Sequence, residues 1–414
     1  MPRAYEIGTA GSSAVPVSWS LMFSKRTEWK LALNRFTEAQ HEIAAKGSRI
    51  LDLTVSNPTR AGLNVDLSRD KEEIAKALTD ARIADYDPQP KGLLHAREIV
   101  GEYYRERKAN VDAESLVLTT STSEGYSYVF RLLCDPGDEV LVPNPSYPLF
   151  EFLADLQDVK LVPYPLIYDH GWQIDFHSIE RVVNERTRAI VLVHPNNPTG
   201  SYVKNSEREA LNTFCRKHEL ALIVDEVFLD YPLGAGKHES FAANQDALTF
   251  TLSGISKISG LPQMKLAWIA TSGPNDVTRE AMARLEVIAD TYLSMSAPIQ
   301  FAAGAMLEQR KRLQPALSLR TRMNLTELDK QLAMQKSCAR LEVEGGWYVV
   351  LRVPATQTDE DLAIALLQEC SVLMHPGHFY DFPANGYLVV SLITPENDFS
   401  EGVQRTLKFV ASRK

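Results

Sequence analysis

SLVLTTSTSEGYSYVFRLLCDPGDEVLVPNPSYPLFEFLADLQDVKLVPY, residues 115–164, is the stretch on which the fold is decided. Apolar runs around 116–118, 139–143 and 159–164 alternate with EGYSYVFRLLC (124–134) and YPLFEFLADLQ (147–157), whose apolar residues recur at helical spacing. The rhythm continues through IERVVNE (179–185), AIVLVHP (189–195), REALNTFCRKHE (208–219) and ALIVDEVF (221–228). The strand-like runs are mostly apolar without alternation, as expected when helices cover both faces of a parallel sheet. The pattern predicts an α/β three-layer sandwich with a mainly parallel sheet. In such sheets ligands bind beyond the carboxyl ends of the strands, so functional residues should stand just after strands.

Beyond about residue 275 the pattern changes to long helices, VTREAMARLEVIADTYL (277–293) and SLRTRMNLTELDKQLAMQ (318–335). Candidate strands then follow at 347–353, 371–375 and 387–392. This predicts a second, smaller α+β domain. Residues 20–50 also read as helix and are expected to pack with the C-terminal part. The expected division is an N-terminal segment 1–60 joining the small domain, a large domain 61–300 and a small domain 301–414. A chain of 414 residues exceeds what one core usually supports, which agrees with two lobes.

The content is ordinary for a globular protein, 44% apolar and 23% charged, and the net charge of −9 disfavours nucleic acid and anionic membrane surfaces as partners. Small molecules are the expected ligands. Cys134, Cys215, Cys338 and Cys370 lie far apart, which excludes CxxC metal or redox motifs and fits a reducing compartment. No metal site is expected. Pro2, Arg3, Glu6, Pro16 and Ser18 interrupt the first thirty residues before an apolar run reaches the length of a leader or a membrane span. A cytoplasmic protein is expected.

Several strand ends carry chemistry. After LVL, residues 119–124 (TTSTSE) place hydroxyls and free N–H groups at a helix N-terminus, which suits a phosphate but equally suits ordinary capping. VLVHPNNPTG (191–200), ALIVDEVF (221–228) and TLSGISKISGLPQMKLAW (251–268) each begin as an apolar strand and end in polar residues. Asp225 at a strand end can keep a pyridine nitrogen protonated and so turn the ring into an electron sink. Asn197 offers an amide to a ring oxygen or a substrate carboxylate, in a loop fixed by Pro198-Thr199-Gly200. A desolvated Lys257 can attack a carbonyl. Singly, each is as well explained as a surface, loop or capping residue.

Together and in this order, these motifs resemble the class I/II aminotransferases, fold type I enzymes dependent on pyridoxal 5′-phosphate (PLP) that include aspartate and alanine aminotransferases. YDPQPKGLLHAREIV (86–100), DPGDEVLVPNPSYPLF (135–150) and HPNNPTG (194–200) carry the resemblance over nearly the whole chain. It implies that Lys257 forms the Schiff base with PLP, Asp225 pairs with the pyridine nitrogen, Asn197 contacts the ring-oxygen side and Tyr147 stacks on the ring. Thr120, Ser121 and Thr122 match the phosphate loop, and Lys265 stands where the family has a phosphate-binding arginine. Tyr86 would reach the phosphate of a neighbouring subunit, which implies a homodimer with shared active sites.

Departures from the family pattern are informative. Lys265 keeps the charge but loses the planar fork. Gly254 replaces a phosphate-contacting serine, with Ser253 and Ser256 as possible substitutes. Phe228 replaces a tyrosine whose hydroxyl meets the ring oxygen, so the Schiff base is expected to titrate at higher pH than in the family unless Tyr231 compensates. Val389, in GYLVVSLITP (386–395), replaces the arginine that clamps the substrate's α-carboxylate, and no arginine lies between Arg352 and Arg405. Arg60 in LDLTVSNPTR (51–60) is a candidate replacement; His375 and His378 are others, and each is also readable as an ordinary surface or structural residue.

The expected function is PLP-dependent transfer of an amino group between an amino acid, or related amine, and a 2-oxo acid. A lyase or decarboxylase of the same fold is an alternative, since one electron sink serves every bond at Cα. A catalytically idle PLP-binding regulatory protein is a second.

Overall fold

The computed structural model describes residues 22–148, 150–234, 236 and 238–413. Residues 1–21, which hold most of the interrupted stretch noted above and the start of the expected N-terminal segment, lie outside the described residues. A two-residue strand, β1 (Leu51–Asp52), precedes the large sheet. That sheet comprises β2 (Leu116–Thr119), β3 (Glu139–Asn144), β4 (Lys160–Tyr168), β5 (Trp172–Ile174), β6 (Thr187–Val193), β7 (Ala221–Asp225), β8 (Thr249–Gly254) and β9 (Ala267–Ser272). Their spatial order is β2-β9-β8-β7-β6-β3-β4-β5. Only β9 and β5 run against the rest.

Alternation along the central strands builds the three layers. Val191, Val193, Ala221 and Ile223 face a core shared with Tyr126, Phe130 and Met282. Their neighbours Ile190, Leu192, Leu222 and Val224 face the opposite core, with Leu211 and Phe214. Each fully buried aliphatic side chain contributes about 1.5–3 kcal/mol, which is why these strands carry no polar face.

Registers bring the functional ends together: Val193 lies beside Asp225, and Asp225 beside Leu252. The loop after β6, the last residue of β7 and the segment after β8 therefore emerge side by side. The loop after β6 is held by Asn196, whose side-chain oxygen accepts from the Thr199 hydroxyl at 3.0 Å and whose carbonyl accepts from the Gly200 N–H at 2.8 Å. Gly200 has φ +69°, and a Cβ there would lie 2.4 Å from Val343 Cγ2 and 2.5 Å from the Gly345 carbonyl, so only glycine fits.

A second, antiparallel sheet is formed by β10 (Ala339–Arg340), β11 (Tyr348–Arg352), β13 (His375–Pro376) and β14 (Tyr387–Ser391), in the order β10-β11-β14-β13. Its core combines Phe36, Ile43, Leu51 and Leu53 with Leu317, Trp347, Leu366, Val390 and Phe399. β1 pairs in parallel with β12 (Val372–Leu373), and Phe36 meets Phe379 edge-on at 5.4 Å. The stretch 51–60 is thereby drawn across to the mouth of the large sheet. Among the described residues, no helix is long and apolar enough to cross a membrane, and no cluster of acidic, histidine and cysteine side chains is placed to hold a metal.

Candidate active site

Asp225 ends β7 with its carboxylate buried. One oxygen accepts from the Val227 N–H at 3.0 Å and the other from the Tyr126 hydroxyl at 3.3 Å. Burial pushes this carboxyl up to about 6, while those two donors and the charge of Lys257 hold it from rising further.

Lys257 lies in the short helix Ile255–Ile258 that follows β8. Its ammonium donates to the Ser56 carbonyl at 3.4 Å and sits 5.2 Å from the ring centre of Trp347 and 5.7 Å from that of Phe228. Desolvation pulls the amine down to about 8, with Asp225 pulling it partly back up. Tyr231 is not free to compensate for Phe228, because its hydroxyl donates to the Lys257 carbonyl at 2.6 Å. It fixes the lysine's backbone instead. Phe228 packs edge-on against Trp347 at 5.2 Å and Tyr348 at 6.1 Å, a wholly apolar contact.

A cavity of about 260 Å³ opens between the two sheets, lined among others by Arg60, Tyr147, Asn197, Tyr348, His375 and Tyr380. Asn197 Oδ1 is buried and has no partner among the described residues; the same holds for the Ser253 hydroxyl at the end of β8. Thr120, Ser121 and Thr122 lie where β2 gives way to the helix Thr122–Leu133. Ser121 caps that helix by accepting from the Glu124 N–H at 3.1 Å, while the Thr120 N–H and hydroxyl go to Glu124 Oε2 at 2.6 and 3.0 Å.

Asp225, Lys257 and residues 120–122 are not among the residues that line the cavity, and other expected residues also stand apart from it. Lys265 is exposed, in left-handed backbone (φ 55°), and forms no ion pair among the described residues. Tyr86 is 83% exposed. His378 is exposed, with its ring against Phe379, so of the two histidines only His375 reaches the cavity. Val389 is buried on β14, opposite both His375 and Val350.

Gly254 has a steric reason. A Cβ there would lie 2.8 Å from Ala267 Cβ, 2.9 Å from Ala267 Cα and 2.9 Å from the Leu266 carbonyl. Serine cannot enter without prying β8 from β9. Gly254→Ser should therefore cost about 1–3 kcal/mol through overpacking, read as a lowered melting temperature.

Tyr126, Ser56, Trp347, Tyr348 and Tyr380 were not evident from the sequence. Tyr126 stands one helical turn beyond the Ser/Thr loop, a signal that pattern alone does not separate from core packing; the others arrive through contacts between distant segments.

The residues present fit PLP. They supply a buried acid for a pyridine nitrogen, an unsatisfied amide, a low-pKa amine for an aldehyde, and a helix N-terminus for a phosphate. Comparison with known proteins agrees. The family description Aminotransferase class I and II matches residues 48–399. The alanine aminotransferase of Mycobacterium tuberculosis (H37Rv) is 27% identical over 383 residues, covering 89% of this chain and 87% of that protein. The glutamate-pyruvate aminotransferase AlaA of Escherichia coli K12 is 25% identical over 377 residues, covering 88% and 91%. The alanine aminotransferase structure from Pyrococcus furiosus superposes with a TM-score of 0.85 at 24% identity, covering 94% of this chain and all of that one. With the family matched across most of its length, the chain belongs to the class I and II aminotransferases, which are PLP-dependent enzymes.

Proposed function

We propose that Lys257 is the lysine that bonds PLP, that Asp225 faces the pyridine nitrogen, and that Asn197 and Tyr147 hold the ring on its oxygen side and its face. Thr120, Ser121, Thr122 and Lys265 take the phosphate in this reading, together with Tyr86 of a second subunit in a homodimer; the 83% exposure of Tyr86 supports that last assignment. The working domain division remains 1–60, 61–300 and 301–414.

When bound, PLP supplies an aldehyde for the lysine amine and a ring that withdraws electrons from bonds at the substrate's α-carbon. The chain's own residues do the rest. Asp225, short of charge partners in its buried setting, favours a protonated ring nitrogen beside it. Lys257 Nζ would be the group that moves the proton at the substrate α-carbon. Arg60, the only lysine or arginine lining the cavity among the described residues, takes the charge of the substrate carboxylate. Two relatives are named for alanine, or for glutamate and pyruvate, so these are the first donors and acceptor to try.

The observation that carries the reading is the Lys257 amine and the buried Asp225 carboxylate brought within electrostatic reach of each other at the ends of adjacent strands. Its test is a half-reaction: alanine or glutamate added to the PLP-loaded protein should bleach the visible band, with one equivalent each of 2-oxo acid and pyridoxamine phosphate recovered. Ammonia release instead would mark a lyase, the alternative that Val389 favours; an unchanged spectrum would mark an idle binder. In the same assay Arg60→Met should lower kcat/KM about tenfold, the usual scale for a hydrogen bond to a charged group at a partly exposed site.

Lys257 also makes a pH prediction. Its amine is lowered to about 8, so the neutral, nucleophilic form dominates above that pH. Competitive acetylation of the PLP-free protein with peptide mapping should give Lys257 a midpoint near 8, with ordinary lysines near 10.4.

A further inference from the structure

Across β13 and β14, His375 stands directly opposite Val389, and Val389 stands opposite Val350 on β11. Directly opposed residues in antiparallel strands share a face, so His375 and Val389 present their side chains on the same side of this sheet. The family's carboxylate-clamping arginine would extend from position 389, and here that position is a buried valine. The polar group on that face is instead one strand over. His375 lines the cavity, is 7% exposed, and its Nε2 is buried without a partner among the described residues.

The other ring nitrogen is fixed. Nδ1 lies 2.9 Å from the Tyr380 hydroxyl, and that hydroxyl makes no other hydrogen bond among the described residues. Either atom can be the donor in that contact; when the hydroxyl donates to Nδ1, the hydrogen of the neutral imidazole lies on Nε2. Burial keeps the ring neutral, pushing it down to about 3. In that tautomer the buried Nε2–H is unsatisfied, which costs about 1–3 kcal/mol unless something accepts from it, so the position favours an incoming acceptor. The one acidic lining residue, Asp52, has its Oδ1 engaged by the Thr54 N–H at 2.8 Å and hydroxyl at 2.6 Å. It is not that acceptor.

We infer that His375, held by Tyr380, replaces the arginine absent at position 389: its Nε2–H donates to the substrate's α-carboxylate, whose charge is met by Arg60. This deepens the aminotransferase reading and rests on it. The substrates are amino and oxo acids gripped by one cation and one neutral donor instead of a bidentate guanidinium. His375 is thus a residue that distinguishes a carboxylate-bearing substrate from the matching amine.

The test compares the PLP-loaded full chain with His375→Leu and with His375→Gln, which retains a donor. His375→Leu should raise KM for an amino acid and for its 2-oxo acid about 10–100-fold with little change in kcat, and should leave the matching decarboxylated amine unaffected. His375→Gln should recover most of the loss, and PLP affinity should stay unchanged in both variants. Binding of propanoate, read from the visible band, gives the same comparison without turnover. Equal losses on amino acid and amine, or full propanoate affinity in His375→Leu, would overturn the inference. If the wild-type chain exchanged with no amino acid, the aminotransferase reading would fall, while the propanoate comparison would still decide the role of His375.

Discussion

Lys257→Ala should lower kcat by about 10⁴-fold or more, because one substitution removes both the covalent anchor and the base that moves the α-proton. The loss should not come from unfolding. A lysine whose pKa falls from 10.5 to about 8 on folding is held in a setting that disfavours its charge. Below pH 8 the amine is protonated in both states and the penalty is fully present; between pH 8 and 10.5 it fades, because only the unfolded state still binds the proton. The PLP-free Lys257→Ala protein should therefore melt at or above the wild-type temperature at pH 7, and its advantage should shrink as pH rises through that window. A lowered melting temperature at pH 7 would show that the amine is better solvated than its enclosure by Trp347, Phe228 and the Ser56 carbonyl implies.

Asp225→Asn has the second largest expected effect, a loss of about 10²–10³ in kcat, the scale for removing one preorganised electrostatic partner. The amide is nearly isosteric and can still accept from the Val227 N–H, so the fold should persist. Burial has raised the carboxyl from 3.8 to about 6, so at pH 7 it is charged in both states and its desolvation penalty is fully present. The penalty is relieved as pH falls through 6 towards 3.8. Asp225→Asn should therefore be no less stable than wild type at pH 7 while being nearly inactive. Its acetylation midpoint at Lys257 should also drop below about 8, because Asp225 is the charge that supports the ammonium.

The sheet was legible because its central strands β6 and β7 are apolar runs on both faces, and because the residues that follow β6, end β7 and follow β8 break that pattern abruptly. That break drew attention to Asn197, Asp225 and Lys257, and their order along the chain, matching the family, singled them out. Strand direction was not legible: β9 and β5 run backwards, and local periodicity carries no sign of that. The surroundings of Lys257 were equally hidden, since Ser56 and Trp347 reach it only when residues 51–60 cross to the small sheet. Gly254 read as a departure at a phosphate-contacting position, and the close approach of Ala267, which accounts for the glycine, was hidden. His375 and His378, three residues apart, are indistinguishable in one dimension; the register with Val389 and the exposure of His378 separate them. Lys265 has the family's spacing, and its side chain is exposed, an environment that spacing alone does not reveal.

The central claim is that one particular amine, at the end of β8, bonds the cofactor's aldehyde. The most direct measurement loads the full chain with PLP, reduces it with borohydride and maps the labelled peptide by mass spectrometry. A stoichiometric pyridoxyl adduct on Lys257, lost in Lys257→Ala, is the result expected; a colourless protein, or an adduct settled on another lysine, would contradict the account.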